Sequence, residues 1–272
     1  MQTKFLKALW GMEGTPYRDM FVRIKAAGFD GVETPMPDAE HENEFKELLQ
    51  EFQFDFIPQI FTGGSDHAAH AASFAEQVER AVSFKPLFVN SHSARDHFTF
   101  EQQVSFFEQA LAVERSTGLA VGHETHRQRA MFTPWTTARL LEALPELKIT
   151  ADFSHWTCVC ESHLADNRAD IEIAISRTLH IHARVGYAEG PQVPDPSAPE
   201  YATEVALFEG WWKEMIQSRA AQGNAISTVV PEFGPPGYMH TLPHTNVPVA
   251  DLWEVNDWIY RRFKENVKKW QA

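Results

Sequence analysis

The sequence predicts an α/β fold, a single (β/α)₈ TIM barrel over residues 1–272, on three observations. Short β-type runs alternate with segments of helical period along the whole chain. Eight such units share 272 residues at 34 each, near the usual size of a closed barrel. No Gly-x-Gly-x-x-Gly follows the first run, which argues against an open doubly wound sheet with a dinucleotide site. Parallel strands joined by helices need cover on both faces, and closure provides it.

The first run, Phe5 to Trp10, leads to a helix with Thr15 as cap and Pro16 at its first position. Met20, Ile24 and Ala27 give that helix an apolar face and Gly28 ends it. Phe29 to Glu33 forms the second strand, a helix covers Glu40 to Phe52, and Phe54 to Phe61 is the third strand. A helix from about Asp66 to Phe84 leads to the fourth strand, Leu87 to Asn90. Thr99 and Gln102 form a capping box for a helix that carries Phe100, Val104, Phe107 and Leu111 on one face and closes at Gly118. Leu119 to Glu124 is strand five. Thr133-Pro134 opens the next helix and Pro145 stops it. Strand six is Leu147 to Asp152, followed by a helix near Asp166 to Thr178 and strand seven, Leu179 to Ala183. After the proline-rich loop Gly190 to Pro199, Val205, Phe208, Trp212 and Met215 mark a helix that Gly223 ends. Ile226 to Glu232 is strand eight, and Leu252, Val255, Ile259 and Phe263 mark the last helix.

With 43% apolar and 22% charged residues the chain is that of an ordinary globular protein. Its 24 Lys+Arg against 37 Asp+Glu give a net charge of -13, which repels a phosphate backbone and argues against nucleic acid as a partner. The first twenty residues hold no apolar run of signal-peptide length, and no stretch resembles a membrane span, so a cytoplasmic protein with no membrane partner is expected. Cys158 and Cys160 lack the spacing of redox or zinc pairs and read as structural. An oligomeric state is not legible, and a homo-oligomer stays open.

Barrel enzymes place reacting groups at the C-terminal ends of strands, so polar residues closing apolar runs are informative. Glu124 closes strand five, Asp152 strand six and Glu232 strand eight, while His182 lies in His180-Ile181-His182-Ala183-Arg184 at the end of strand seven. Three carboxylates brought together out of water disfavour one another's charge, and a divalent cation compensates them. Oxygen ligands with one imidazole suit a single Mn, Mg, Co or Zn ion. A metal chelating a carbonyl and its neighbouring hydroxyl acidifies the C–H between them, so Glu124 and Glu232 become the candidate catalytic acid/base pair of an isomerase or epimerase working through an enediolate. His123 alternates with Glu124 and faces the helices as packing. Trp10, Phe61 and Trp156 read as core rather than as the lining of a sugar pocket.

Asp152-Phe153-Ser154-His155 and His180-Ile181-His182, with Glu124 and Pro231-Glu232-Phe233, resemble the Asp-x-x-His, His-x-His and strand-end glutamates of the xylose isomerase-like barrels. That family includes sugar isomerases, ketose 3-epimerases, dehydratases and endonucleases of the deoxyribonuclease IV type. The resemblance implies one Mn²⁺-like ion on Glu124, Asp152, His182 and Glu232, and a carbohydrate-like small molecule as substrate, either a sugar, a sugar phosphate or a hydroxy-keto acid. A metal-dependent dehydratase and a deoxyribonuclease IV-like phosphodiesterase are the alternatives. Where ketose epimerases carry a second glutamate and an arginine, this sequence has Ala130 and Ala188, so the substrate contacts differ. Candidate substrate contacts are His155, Arg184, His92, His126, Tyr238 and His240. Arg184, His126 and Arg127 are equally readable as ion-pair residues, and His92 is the position at which a second metal would bind.

Overall fold

Eight parallel strands close on themselves in chain order in the computed structural model, which describes residues 1–271. They are β1 (Gln2–Ala8), β2 (Gly31–Pro35), β3 (Asp55–Phe61), β4 (Val89–His92), β5 (Val121–Glu124), β6 (Lys148–Ala151), β7 (Thr178–His182) and β8 (Ile226–Val230). Closure is made by β1 on β8, with Gln2 opposite Ile226 and Phe5 opposite Val229. The helices are α1 (Tyr17–Ala27), α2 (Glu42–Phe52), α3 (His67–Ala81), α4 (Phe100–Thr117), α5 (Pro134–Ala143), α6 (Ser154–Val159), α7 (Arg168–Ser176), α8 (Ala202–Ala221) and α9 (Leu252–Trp270). None of the described helices is long and apolar enough to cross a membrane.

Several local signals act as read. The Thr99 hydroxyl accepts from the Gln102 N–H while Gln102 reaches back to Thr99, completing the box, and Gly118 ends α4 in the left-handed conformation. Thr133 caps α5 with Pro134 in its first turn. Thr15 does not cap α1: that helix starts at Tyr17 without a side-chain cap, because Pro16 sits outside the first turn. The strand boundaries move most at β1, β2 and β4. β1 begins earlier, where polar Gln2, Thr3 and Lys4 pair with β8 and hide the strand from an apolar-run reading, with Lys4 in an ion pair to Asp55 at 2.6 Å. β4 begins later and runs to His92, since Pro86 precedes it and Leu87 is largely exposed. The α6 segment was not expected; it makes nine described helices rather than eight.

Residues on each strand alternate between two apolar environments. Phe5, Val32, Phe56, Val121 and Ile149 pack outward against the helices. Leu6, Ala8, Ile57, Phe88 and Val230 fill the barrel axis as a plug. His123 points outward as expected, stacked on Phe74, edge-on to Phe107, with Nδ1 2.7 Å from Ser93 Oγ.

Candidate metal centre and cavity

Above the plug, the inward positions turn polar. Glu124 is the last residue of β5, Asp152 follows β6, His182 ends β7 and Glu232 lies two residues past β8. Each offers a ligand atom within 4.8 Å of those of the other three, and all four are buried. His182 Nδ1 lies 2.7 Å from Glu232 Oε2 and 3.8 Å from Glu124 Oε2. Although close, His182 Nδ1 and Glu232 Oε2 are both buried without a well-aligned hydrogen-bond partner. Two such atoms aimed at one point, beside two further carboxylates, fit a divalent cation.

The rest of the His182 ring supports the same fit. Its Nε2 lies 3.0 Å from Glu33 Oε1, a contact that places a proton on Nε2 and leaves Nδ1 as the lone-pair donor toward the cluster. Burial lowers the basicity of His182, but Glu232, Glu33 and Glu124 outweigh it and raise its pKa well above the ordinary value. The field that retains a second proton on this ring favours a cation in the same place.

Glu33 is the residue whose role the sequence reading missed. It is fully buried inside the barrel and accepts from Gln59 Nε2 at 3.1 Å and Asn90 Nδ2 at 2.9 Å, with His180 Nε2 at 2.9 Å on its other oxygen. Burial opposes its ionisation, yet His182 and His180 hold the carboxyl well below the usual range. Gln59 and Asn90 then continue upward, donating to Glu232 Oε1 at 3.0 Å and Glu124 Oε2 at 2.9 Å. The available signal was parity: His180 and His182 both point inward, and two buried imidazoles require an acceptor.

Over this cluster opens a cavity of about 680 Å³ on the C-terminal side of the barrel. Of the four clustered residues, Glu124 and Glu232 line it, whereas Asp152 and His182 lie beneath. His92 lines it too, with Nε2 2.8 Å from Glu124 Oε2, as does half-buried His126, which packing around the ring, against the pull of Glu124, lowers to about 3 and keeps neutral. Tyr238 also lines it, with its hydroxyl 3.4 Å from His126 Nε2. Burial would raise Glu124, but His92 and His182 hold it well below the usual carboxylate range.

Of the expected substrate contacts, Arg184 lines the cavity with its guanidinium engaged, and His155 and His240 lie outside the lining. Arg184 reaches the cavity wall but its guanidinium is engaged inside the protein, on Asp152, on Ser154 Oγ at 3.1 Å and on the Glu232 carbonyl at 3.3 Å. It therefore positions Asp152, which burial nonetheless pushes up to about 6, with Arg184 pulling the other way. His155 is fully buried behind it, with Nε2 2.8 Å from the Arg184 Nη2 and the ring against His126, outside the cavity lining. His240 is exposed beside Tyr187 and also outside it. Conversely, Trp10 and Phe61 are not core: both line the cavity, and Gly234 has no side chain because a Cβ there would meet the Trp10 ring at 2.2 Å. Trp156 is core as read, its indole N–H donating to the Met131 carbonyl at 3.0 Å.

Comparison with known proteins gives a fold-level match along the chain. The sequence profile described as "Xylose isomerase-like TIM barrel" matches residues 21–200. No curated protein matches the chain in sequence. The fold is similar to that of a xylose isomerase-like TIM barrel protein from Mycobacterium smegmatis in complex with magnesium, at 10% identity and a TM-score of 0.68 over 100% of both chains. It is also similar to the probable 3-DHS dehydratase AsbF from Bacillus anthracis, at 16% identity and 0.63 over 97% of this chain and 99% of that one. A third similar structure is 3-keto-D-glucoside 4-epimerase YcjR from E. coli, at 15% identity and 0.60 over 97% and 100%. At such identities these structures establish the fold alone.

Proposed function

The chain belongs to the xylose isomerase-like TIM-barrel family, and from that premise we propose that it is a divalent-metal-dependent isomerase or epimerase of a small polyhydroxy carbonyl compound. One observation carries the proposal: of four clustered ligand-type residues, the two glutamates open on the cavity and the other two lie below them. Bound on Glu124, Asp152, His182 and Glu232, a Mn, Mg, Co or Zn ion supplies Lewis-acid polarisation of a carbonyl and its neighbouring hydroxyl. Glu124, kept ionised by His92 and His182, takes the proton from the carbon between them through the oxygen not bonded to Asn90 and His92. Glu232, brought in by strand eight and fixed through Gln59, returns a proton to carbon. Arg184 holds Asp152, and the Trp10, Phe61 and Tyr238 rings narrow access of water.

A dehydratase is the second reading. It shares the deprotonation and then expels a β-hydroxyl, which needs a proton donor over the departing oxygen. The Tyr238 hydroxyl beside neutral His126 supplies one. The similar folds include one named an epimerase and one named a probable dehydratase, chemistries with a common first step. Nucleic acid is outside the proposal, given the charge of -13 and Gln59, rather than a histidine, at the inward position near the C-terminal end of β3. The free thiols of Cys158 and Cys160 suit a reducing compartment, and the proposed one is the cytoplasm.

The test is solvent deuterium incorporation into hydroxyketones by metal-loaded wild type, Glu124→Gln and Glu232→Gln. Wild type is expected to exchange the C–H beside the carbonyl, and each variant to slow by about 10²–10⁴-fold. Product free of solvent deuterium under single turnover, or normal exchange by both variants, contradicts the pair. A product lighter by one water selects the dehydratase.

A further inference from the structure

The cavity lining carries few charged groups above the metal cluster. Glu13 and Asp38, from the loops after β1 and β2, line one side; His92 at the end of β4, Glu124 at the end of β5, and His126 and Arg129 from the loop after β5 line the other. Arg129 stands apart among these groups. In a chain with 37 acidic against 24 basic residues, no carboxylate among the described residues pairs with it. Its two hydrogen bonds both leave from Nη1 and end on backbone carbonyls, Thr62 at 3.0 Å and Ala94 at 3.4 Å. Those carbonyls fix the guanidinium plane and leave its Nε–Nη2 edge without a protein partner.

The surroundings raise the cost of that cation. Burial of the side chain and the charge of Arg95 act against it, and the carboxylates Glu124 and Asp96, neither of them paired with it, offset only part of that. The adjacent Arg127 is directed elsewhere, over the Tyr238 ring at 5.0 Å, across a Gln128 backbone held at φ 67°. A left-handed non-glycine residue is itself unfavourable, so the arrangement that aims Arg129 into the cavity is maintained against strain. Half-buried guanidinium groups are ordinarily neutralised, and a planar two-donor edge matches one ligand chemistry best, a carboxylate or phosphate bound by two parallel hydrogen bonds.

We propose that Arg129 is an anion-binding residue of this cavity, and that the substrate is a polyhydroxy carbonyl compound whose carboxylate or phosphate group docks on its Nε–Nη2 edge. The inference rests on the metal-dependent reading of the cavity and narrows its substrate class. With the whole chain at -13, long-range electrostatics disfavour an anion, so Arg129 itself has to provide the selection.

The test is isothermal titration of the metal-loaded protein with three probes: D-fructose, 5-keto-D-gluconate and fructose 6-phosphate. At least one anionic probe is expected to bind tenfold or more tightly than fructose, and which one does so separates a carboxylate from a phosphate ligand. That preference should weaken as sodium chloride is raised, whereas fructose binding should not. In Arg129→Gln the anion affinity should converge on the fructose value, and Arg129→Lys, which keeps the charge without the fork, should recover part of it. Equal affinities, absence of binding by both anions, or a preference that survives Arg129→Gln overturns the proposal. The wild-type comparison and its salt dependence stand even if a variant folds poorly. The two readings fail separately: absent deuterium exchange sinks the isomerase reading whatever binds, and equal affinities sink the anion site whatever reacts.

Discussion

Glu33 sets which nitrogen of His182 faces the carboxylates, although it offers no atom to that cluster itself. Replacing it by glutamine removes the negative charge that orients the ring, so Mn²⁺ affinity should fall by about 10–100-fold with all four direct ligands intact. Titration followed by the EPR signal of free Mn²⁺ measures this, and an unchanged affinity would remove Glu33 from the account. Lys7 gives a second prediction at this scale. It is buried against the helices with Nζ donating to the Ala8 carbonyl, and burial lowers its pKa to about 8. Between about pH 8 and the ordinary 10.5 the unfolded chain then binds more protons than the folded one, so this residue makes stability rise with pH through that window. Below pH 8 the full cost of the buried cation is present, on the order of 3 kcal/mol. Lys7→Met should therefore raise Tm at pH 7 and lose much of that advantage by pH 10, as scanning calorimetry at the two values would show; an equal difference at both contradicts the assignment. The clustered glutamates and Asp152 were legible in the sequence because each closes an apolar run. The role of Glu33 was not, because its contact with His180 spans 147 positions and no local pattern encodes it.

At the scale of elements, the signals that worked were those whose partners sit within one turn. The Thr99–Gln102 box is complete in itself, so Thr99→Ala should cost about 1 kcal/mol, lowering Tm by about 2–3 °C while leaving metal affinity unchanged. Thermal unfolding and Mn²⁺ titration of the variant check both halves. Thr15 and Pro16 present similar letters, but the chain enters α1 one residue later and the threonine finds no partner. The α6 segment was illegible because six residues are too few to display a period, yet it has a specific task. Its first residue, Ser154, donates its N–H to Asp152 Oδ1 at 3.1 Å and also its hydroxyl, which turns the carboxylate of strand six toward the cluster. The sequence motif Asp152-Phe153-Ser154-His155 thus encodes the hold on Asp152 as well as Asp152 itself, and His155 closes the far side of Arg184, outside the cavity lining.

For the whole molecule, the closed barrel was legible from the order and spacing of eight βα units, and closure follows because each strand buries both faces. Less legible was the layering inside: an apolar plug of Leu6, Ala8, Ile57, Phe88 and Val230, a polar layer built on Glu33, and the ligand cluster under the cavity. That order depends on the stagger of the strands. Charge at this scale carries its own prediction, since a net charge of -13 opposes a DNA backbone and no abasic-site duplex should be cut even at low salt, in a gel assay with the metal-loaded protein. Cleavage abolished in a His92→Ala and Glu124→Ala double variant would contradict this. Glu124, Asp152, His182 and Glu232 together should hold one divalent ion, and an anomalous difference map from crystals grown with Mn²⁺ locates it. One strong peak per chain is expected within about 2.0–2.6 Å of a ligand atom from each of the four, with His182 contributing Nδ1. A map with no peak there, or with its peak on His92 and His126 instead, would contradict it.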